Sequence, residues 1–233
     1  MSGEYDELQA LAERYQRRAG PDRYSMLQPD VWLTMQERQR ALLRLFASQG
    51  HTQLSHLRLV EVGCGAGGNL LELLRLGFAP ERLVGIEVLA DRVERARQVL
   101  PGGVTLWHGD ARVAPIAPGS QDIVFVSTVF SSLLDDAFQQ QLADAMWRWV
   151  APGGGVLWYD FTVDNPRNPD VRGVSPSRVR QLFPAGPPRF KRLTLAPPLA
   201  RRVARLHPVL YAVLNALPLL RTHLLAWIDK PKT

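Results

Sequence analysis

The stretch Glu61–Leu70 reads EVGCGAGGNL and places four glycines within six residues, directly after the mainly apolar run Leu57–Val60. Glycine accepts backbone conformations with positive φ and lets another group approach the main chain closely. The spacing of Gly63, Gly65 and Gly68 matches G-x-G-x-x-G, which is typical of a strand that turns tightly into a ligand-binding helix. Taken alone, the pattern fits a dinucleotide, a nucleotide phosphate or a ligand without phosphate, and it also fits a tight turn with no ligand.

Apolar and amphipathic runs alternate around this stretch, which predicts a parallel sheet with helices on both faces. The predicted strands are Leu57–Gly63, Leu83–Glu87, Val104–His108, Asp122–Ser127 and Gly155–Phe161. The predicted helices between them are Gly68–Leu76, Asp91–Leu100 and one that runs from about Asp135 to a stop at Pro152-Gly153-Gly154.

Helical patterns precede this core, and a mixed segment follows it. Two helices are predicted over Tyr5–Arg18 and Pro29–Gln49, the second with Asp30 as its cap and Gly50 as its stop. The last third predicts a short helix that starts at Ser175-Pro176 and two strands, Arg189–Leu195 and His223–Ile228. Between these two strands lies a helical stretch that is broken at Pro208 and Pro218.

Length and composition indicate an ordinary folded chain. The 233 residues suffice for one α/β domain with additions, and 46% are hydrophobic against 21% charged. A single cysteine, Cys64, excludes an internal disulfide framework and a cysteine-based zinc site, and it suits a reducing cytoplasm. The five histidines are not clustered, so no metal site is predicted. No export signal and no membrane-spanning run is expected, which predicts a cytoplasmic protein.

The charge is divided unevenly along the chain. Residues 1–164 carry 15 Lys and Arg against 20 Asp and Glu, a net −5, so residues 165–233 carry 13 against 2, a net +11. Such an asymmetry favours an anionic partner for the last third: an acidic substrate, an anionic lipid surface or nucleic acid. A solvated basic face without a partner is the alternative.

Three carboxylates at the ends of successive predicted strands narrow the choice of ligand. Glu61 lies on the first strand, where it would oppose a pyrophosphate but attract an ammonium group. Glu87 ends the second strand, where a carboxylate can accept both hydroxyls of a ribose. Asp110 follows the third strand, where it can accept from an exocyclic amine. Together they favour a cationic adenosine ligand, although Glu87 alone fits an ordinary strand end and Asp110 alone fits a turn cap.

At this point the chain resembles the class I S-adenosylmethionine-dependent methyltransferases. The motifs LVEVGCGAGGNL, LVGIEV, HGDAR, DIVFVSTVFSSL and WVAPGGGVLWYDF carry the resemblance, in the family's order, from Leu57 to Phe161. It implies an α/β, Rossmann-like sheet of seven strands in the order 3-2-1-4-5-7-6, with a helical insertion between strands six and seven. It also implies a set of S-adenosyl-L-methionine-binding residues: Glu61, Gly63 and Gly65 for the methionyl part with Ser127 beside it, Glu87 for the ribose, Asp110 for the adenine edge, and Gly67, Val88 and Ala111.

The domain organisation follows from the same resemblance. Residues 1–50 are expected to form an N-terminal helical cover, with Tyr15, Arg18 and Tyr24 available to contact the cofactor. Residues 51–233 are expected to form the methyltransferase domain, with a helical substrate cap over about 197–220. The predicted catalytic residues are Asp160, as a general base, and Asn165, in the proline-rich loop that follows the fifth strand.

The acceptor is less well defined by the sequence. Arginines alternate with aliphatic residues over Leu199–Leu225, a pattern that suits a lipid-linked or otherwise apolar, anionic acceptor and a peripheral contact with the inner membrane surface. We therefore expect O-methylation of a small-molecule, glycan or lipid-linked acceptor. Two alternatives remain open: an RNA methyltransferase that uses the basic last third, and a non-catalytic, membrane-associated module that binds S-adenosylmethionine.

Overall fold

A computed structural model describes residues 2–17, 25–166 and 168–232, with side chains from residue 7 onward. The helices are α1 (Ser2–Arg17), α2 (Pro29–Ser48), α3 (Gly68–Leu76), α4 (Ala90–Val99), α5 (Asp136–Trp149), α6 (Pro176–Leu182), α7 (Pro197–Leu206) and α8 (Pro208–Asn215). The strands are β1 (Leu59–Val62), β2 (Leu83–Glu87), β3 (Thr105–His108), β4 (Gln121–Ser127), β5 (Val150–Phe161), β6 (Pro188–Leu195) and β7 (Arg221–Asp229).

The seven strands form one sheet in the order β3-β2-β1-β4-β5-β7-β6, which confirms the predicted fold class. Strands β1 to β5 are parallel, and β7 lies antiparallel between β5 and β6. The central strands are buried on both faces, as their continuous apolar runs predict, because helices cover the sheet on each side. The sheet therefore forms the middle layer of an α/β/α sandwich.

Alternate residues of each strand enter two separate cores. On one face, Val60, Val124 and Val156 pack with α1, α5 and α6. On the other face, Leu59 and Leu157 pack with α2, α3 and α4. Successive side chains of a strand point to opposite faces of the sheet, so alternate residues of a strand belong to different cores.

Two predictions about where helices begin and end are wrong. Helix α2 begins at Pro29 with Gln28 as its N-cap, so Asp30 lies inside the first turn. Proline suits the first helical position because its φ is already helical and the backbone N–H that it lacks would have no partner there. The segment at Gly153 does not end an element: β5 starts at Val150, and the residues up to Gly154 form an irregularity within the strand, with Gly153 at φ +80°. The amide of Gly153 donates to the carbonyl of Lys230, so a partner beyond β7 keeps this segment extended.

The segment that joins β6 to β7 lies at the carboxyl edge of the parallel strands. In the sheet register, Phe161 at the end of β5 pairs with His223, and Leu195 at the end of β6 pairs with Arg221. Helices α7 and α8 and the 3₁₀ turn Pro218–Leu220 fill this connection and pack as a small third core on Leu195. No helix in the described part of the chain is long and apolar enough to cross a membrane.

Candidate active site

A cleft with a volume of about 120 Å³ opens at the carboxyl edge of the sheet, above the ends of β1 to β4. The strand order reverses at β1, whose neighbours are β2 and β4, and such a switch point is where open α/β sheets bind ligands. Six of the nine predicted cofactor-binding residues line the cleft: Gly63, Glu87, Val88, Asp110, Ala111 and Ser127.

The glycine loop needs glycine at specific positions. Gly63, Gly65 and Gly67 adopt φ values of +68°, +56° and +84°, a left-handed conformation that costs other residues free energy. A Cβ atom on Gly63 would lie 2.5 Å from a methyl carbon of Val129 on the cleft wall. The loop therefore brings its backbone against the cleft at Gly63, whereas Gly65 and Gly67 shape the turn into α3.

Glu87 holds the glycine loop to the end of β2. Its carboxylate accepts hydrogen bonds from the backbone amides of Gly65 at 2.8 Å, Val88 at 2.9 Å and Leu89 at 2.9 Å. A carboxylate offers about four acceptor positions, so this arrangement leaves about one for a ligand. Glu87 thus has a structural function in the loop, and its contact with a ribose stays a prediction.

The Asp110 side chain is engaged within its own turn. It accepts from the backbone amide of Arg112 at 2.9 Å, as a cap of the 3₁₀ turn Ala111–Val113, and it pairs with the Arg112 guanidinium at 2.7 Å. The guanidinium also stacks on the ring of Phe138 at 3.9 Å. Asp110 is therefore a turn cap, the alternative that the sequence left open, and any contact with an adenine amine would compete with Arg112.

Glu61 faces away from the cleft. Because Val62 points into the cleft, the preceding side chain on β1 points to the opposite face of the sheet, where Glu61 is fully buried. One carboxylate oxygen accepts from the Asn69 amide at 2.6 Å, and the other has no hydrogen-bond partner among the described residues. Burial raises the pKa of Glu61 to about 8, although the Asn69 hydrogen bond and the charge of Arg38 act against this rise.

Arg38 on α2 organises the surroundings of Glu61. Its guanidinium donates to the Asn69 side chain at 2.6 Å and pairs with Glu72 at 2.7 Å, and it lies 5.4 Å from the centre of the Tyr159 ring. Arg38 and Glu72 are both buried. The free oxygen of Glu61 is thus a buried acceptor on the strand that enters the glycine loop, and it fits a cationic donor such as an amino group.

The end of β4 contributes a residue that the sequence did not identify. Thr128 lines the cleft after Ser127 with φ +54°, which is unusual for a β-branched residue. Its amide donates to the Tyr159 carbonyl at 2.8 Å and its hydroxyl to the Ser127 carbonyl at 2.8 Å. Backbone strain of this kind is frequent at ligand sites, but no sequence signal predicts it in a threonine.

Helix α1 lies over the cleft. Leu8, Leu11 and Tyr15 line it, and the Arg14 guanidinium fastens the helix by donating to the Ser132 carbonyl at 3.1 Å. Arg92 stacks on the Tyr15 ring at 4.1 Å. Of the two predicted cover helices, only α1 contributes described residues to the cleft lining, since α2 packs on the opposite face of the sheet. Arg18 and Tyr24 lie outside the described residues.

Neither of the two predicted catalytic residues lines the cleft. Asp160 is buried on β5, and its carboxylate accepts from the backbone amides of Ser131 at 3.0 Å and Phe161 at 2.9 Å. Burial raises the pKa of Asp160 to about 7. Asn165 is exposed in the turn after β5, where its carbonyl accepts from the Asn168 amide. Asp160 therefore anchors the turn Phe130–Ser132, which borders the cleft, and the catalytic roles of Asp160 and Asn165 stay predictions.

Cys64 lies beside the cleft as a small buried side chain. Burial raises the pKa of its thiol, and a Cβ atom on Gly85 would lie 2.8 Å from its sulfur. A buried thiol with a raised pKa is a poor nucleophile. Its role is therefore to fill space between the glycine loop and β2.

Comparisons with known proteins agree with this geometry. Residues 59–154 match a family model described as a methyltransferase domain. The trans-aconitate 2-methyltransferase of Afipia carboxidovorans is 31% identical over 160 residues, which cover 68% of this chain and 56% of that protein. The phthiotriol/phenolphthiotriol dimycocerosates methyltransferase 1 of Mycobacterium ulcerans is 31% identical over 134 residues, 58% of this chain and 49% of that protein.

Solved structures show the same fold. The N-methyltransferase NodS from Bradyrhizobium japonicum WM9, in complex with S-adenosyl-L-homocysteine, superposes with a TM-score of 0.69 over 95% of this chain and 98% of that chain, at 20% identity. The chain spans about half the length of the curated relatives that it matches. The domain match, the sheet order and the glycine loop together show that residues 59–154 belong to a methyltransferase domain and that the chain has the fold of the S-adenosylmethionine-dependent methyltransferases.

Proposed function

We propose that this protein transfers a methyl group from S-adenosylmethionine to an oxygen atom of an anionic acceptor, either a small molecule, a glycan or a lipid-linked compound. The observation that carries this proposal is the convergence of six predicted residues on one cleft at the switch point of the sheet. We further propose that the methionyl amino group reaches past the glycine loop to the unpartnered oxygen of Glu61 behind β1, while the loop faces the rest of the methionyl part.

The residues around the cleft suit a displacement at a sulfonium centre. S-adenosylmethionine brings a methyl group on a positively charged sulfur and leaves as a neutral thioether. Since charge disappears in the transition state, a water-poor site favours the reaction, and Leu8 and Leu11 of α1 supply an apolar cover. The main task of the protein is then to hold the acceptor oxygen close to the methyl group and in line with it.

A carboxylate acceptor fits the absence of an accessible base. Among the described residues that line the cleft there is no histidine, Glu87 accepts three backbone amides, and Asp110 is paired with Arg112. A neutral hydroxyl acceptor would need such a base, whereas an ionised carboxylate is already a nucleophile. The name of the trans-aconitate 2-methyltransferases, which act on a tricarboxylate, supports this choice.

RNA is the second acceptor class to be tested. The tRNA N(3)-methylcytidine methyltransferase Mettl2 of Drosophila melanogaster is 28% identical over 114 residues, and the net +11 of residues 165–233 would attract a phosphate backbone. Against RNA, the exposed residues next to the arginines of α7 are aliphatic, whereas single-stranded RNA is held by stacking aromatic side chains.

The experiment that tests the proposal uses S-adenosylmethionine labelled in its methyl group. The protein is incubated with the label and a bacterial extract, and the label is then measured in lipid, RNA and small-molecule fractions. We expect label in the lipid or small-molecule fraction, and we expect mild alkali to release it as methanol because methyl esters hydrolyse easily. Alkali-stable label would contradict a carboxylate acceptor. Label confined to RNA, or no label above the Gly63→Ala variant, would contradict the proposal as a whole.

The binding of S-adenosylmethionine should depend on pH through Glu61. Because the pKa of Glu61 is raised to about 8, its carboxyl group is largely protonated at pH 6 in the protein without ligand. A cationic ligand favours the ionised carboxylate. Binding at low pH must therefore release a proton, so affinity should rise between pH 6 and 7.5 by at most about tenfold per pH unit. Above about pH 8 the α-amino group of the ligand itself loses its charge. Isothermal titration calorimetry in buffers of different ionisation enthalpy measures both the affinity and the released proton.

The Glu61→Gln variant serves as the control for this titration. Its affinity should be lower and nearly independent of pH below 7.5, with no proton released. If the wild-type affinity is constant over the same range, or if Glu61→Gln keeps the wild-type slope, then Glu61 does not meet the amino group.

Asp160→Asn should retain methyl transfer within about threefold of the wild type, because Asp160 is buried and bonded to two backbone amides. A true general base contributes about 10²- to 10⁴-fold. Because asparagine keeps only one acceptor oxygen, the free energy of unfolding should fall by about 1–2 kcal/mol. Initial rates with labelled cofactor and urea unfolding curves separate the two effects, and a hundredfold loss of rate in a folded variant would restore the base assignment.

A further inference from the structure

The outward surface of the insertion between β6 and β7 is apolar. Six large apolar side chains between residues 206 and 219 are exposed, and we call them the α8 surface: Leu206, Val209, Leu210, Val213, Leu217 and Leu219. Leu206 is 75% exposed and Leu219 is 94% exposed. A soluble monomer rarely leaves such a contiguous apolar surface uncovered.

Helix α8 has its polar residues on the inside, which is the reverse of an ordinary surface helix. Tyr211 and Asn215 are its buried residues, and the Tyr211 hydroxyl donates to Glu37 of α2 at 3.1 Å. The exposed side carries Val209, Leu210 and Val213 instead. A helix that faces water normally shows the opposite pattern, so the exposed side of α8 is suited to a non-aqueous environment.

Helix α7, which shares a core with α8, carries exposed arginines. Arg201, Arg202 and Arg205 of α7 are exposed, and no ion pair joins them to another residue in the part of the chain that the structure describes. Residues 171–228 contain no Asp or Glu at all. The apolar side chains suit the acyl region of a membrane surface, and the basic side chains beside them suit its anionic headgroups.

We propose that the α8 surface docks on a lipid bilayer that carries anionic headgroups, with the apolar residues inserted and the α7 arginines at the phosphates. The surface lies at the carboxyl edge of the sheet, the same edge as the cleft, because β6 ends and β7 begins there. Docking would hold the cleft near the membrane, where an amphiphilic acidic acceptor resides. This last step rests on the proposed function, whereas docking itself does not.

The start of α2 extends the apolar region. Leu33 packs in the same core as Tyr211, and the Thr34 hydroxyl lies 3.2 Å from the Tyr211 hydroxyl, so this turn of α2 adjoins α8. Leu27 and Trp32, which precede it, are exposed. Tryptophan is enriched at the boundary between headgroups and acyl chains because its ring is apolar and its N–H is polar.

A bilayer suits this surface better than a second copy of the chain or an RNA does. In a two-fold symmetric dimer, the same patch of both copies meets, so the α7 arginines would join a shared interface to which residues 171–228 of neither copy contribute an acid. For RNA, the arginines should alternate with aromatic side chains, but the α8 surface is aliphatic throughout.

The experiment measures sedimentation of the full chain with vesicles. Vesicles of phosphatidylcholine alone are compared with vesicles that contain phosphatidylglycerol as well, at low and high salt. We expect binding to the mixed vesicles that is at least tenfold stronger than to the neutral ones and that weakens as salt rises. Val209→Glu/Val213→Glu should lower binding to the mixed vesicles at least tenfold. Arg201→Ser/Arg202→Ser/Arg205→Ser should mainly remove the preference for anionic lipid.

Two controls make the outcome specific. Val99→Glu changes a half-exposed valine on α4, outside the α8 surface, and should bind as the wild type does. Calorimetry with S-adenosylhomocysteine should give the same affinity for all variants, so that a failed docking proposal is distinguished from a failed methyltransferase assignment. Equal binding to both kinds of vesicle, unchanged binding of Val209→Glu/Val213→Glu, or a dimer in sedimentation equilibrium that this variant abolishes would overturn the proposal.

Discussion

Replacing Gly63 by alanine should weaken the binding of S-adenosylhomocysteine at least about thirtyfold, which corresponds to about 2 kcal/mol. Gly63 lies at φ +68°, where a Cβ atom costs about 1–2 kcal/mol. The new atom would also lie 2.5 Å from Cγ2 of Val129, whose branched side chain has little freedom to rotate away. Since both residues line the cleft, relief of this contact must move the loop or the cleft wall. Calorimetric titration measures the affinity, and thermal unfolding shows whether the variant remains folded.

Two other glycines separate the causes of this effect. Gly50 has φ +78° but nothing within 4 Å of its Cβ position, and it lies outside the cleft, so Gly50→Ala should cost stability and leave affinity unchanged. Gly68 belongs to the same loop and has open space around its Cβ position, so Gly68→Ala should be nearly neutral. Adding Val129→Ala to Gly63→Ala should recover part of the lost affinity. Equal losses in Gly63→Ala and Gly68→Ala would show that the close approach at Gly63 is unimportant.

The sequence predicted the fold well because the relevant signals are local or are repeated along the chain. The glycine loop, the apolar runs and the stops after helices depend on neighbouring residues, and the predicted bounds of α3 and β2 agree with the structure. The order of the strands followed from the family resemblance, and the structure confirms it.

The orientation of the carboxylates was harder to predict. Glu61 lies between Val60 and Val62, which both enter one core, so the period of a strand already directs Glu61 to the opposite face. Asp110 fitted both a turn cap and an adenine contact; the structure shows the cap through Arg112, and the adenine contact stays a prediction. Here the sequence contained the signal for Glu61 but left the choice for Asp110 open.

Long-range packing accounts for the residues that the sequence missed. Thr128 adopts a positive φ because its amide is bonded to Tyr159, a residue on the next strand of the sheet. Arg38 meets Asn69 and Glu72 across more than thirty residues of chain. No spacing pattern in the sequence around Thr128 or Arg38 predicts these partners. Only the folded structure identifies the two residues.

Loss of Arg38 should destabilise the fold strongly. Replacing it by methionine should lower the free energy of unfolding by about 3–5 kcal/mol, since the buried Glu72 carboxylate loses its counter-ion. The Asn69 amide also loses a partner at 2.6 Å, and with it the restraint that holds Asn69 towards Glu61. Urea unfolding measures the loss, and Arg95→Ala is the matched control because its ion pair with Asp91 is exposed and should contribute less than about 0.5 kcal/mol.

A second substitution distinguishes a broken ion pair from lost packing. If the unpaired charge of Glu72 causes most of the loss, then Arg38→Met/Glu72→Met should be more stable than Arg38→Met alone, although it contains one more substitution. The charge of Arg38 lowers the pKa of Glu61, so its removal should raise that pKa further and shift the rise in cofactor affinity to higher pH. A loss of less than 1 kcal/mol in Arg38→Met, or an unshifted pH profile in a folded variant, would mean that Glu61 is positioned without Arg38. A shift in both measurements would instead make Arg38 the link between the stability of α2 and the recognition of the amino group.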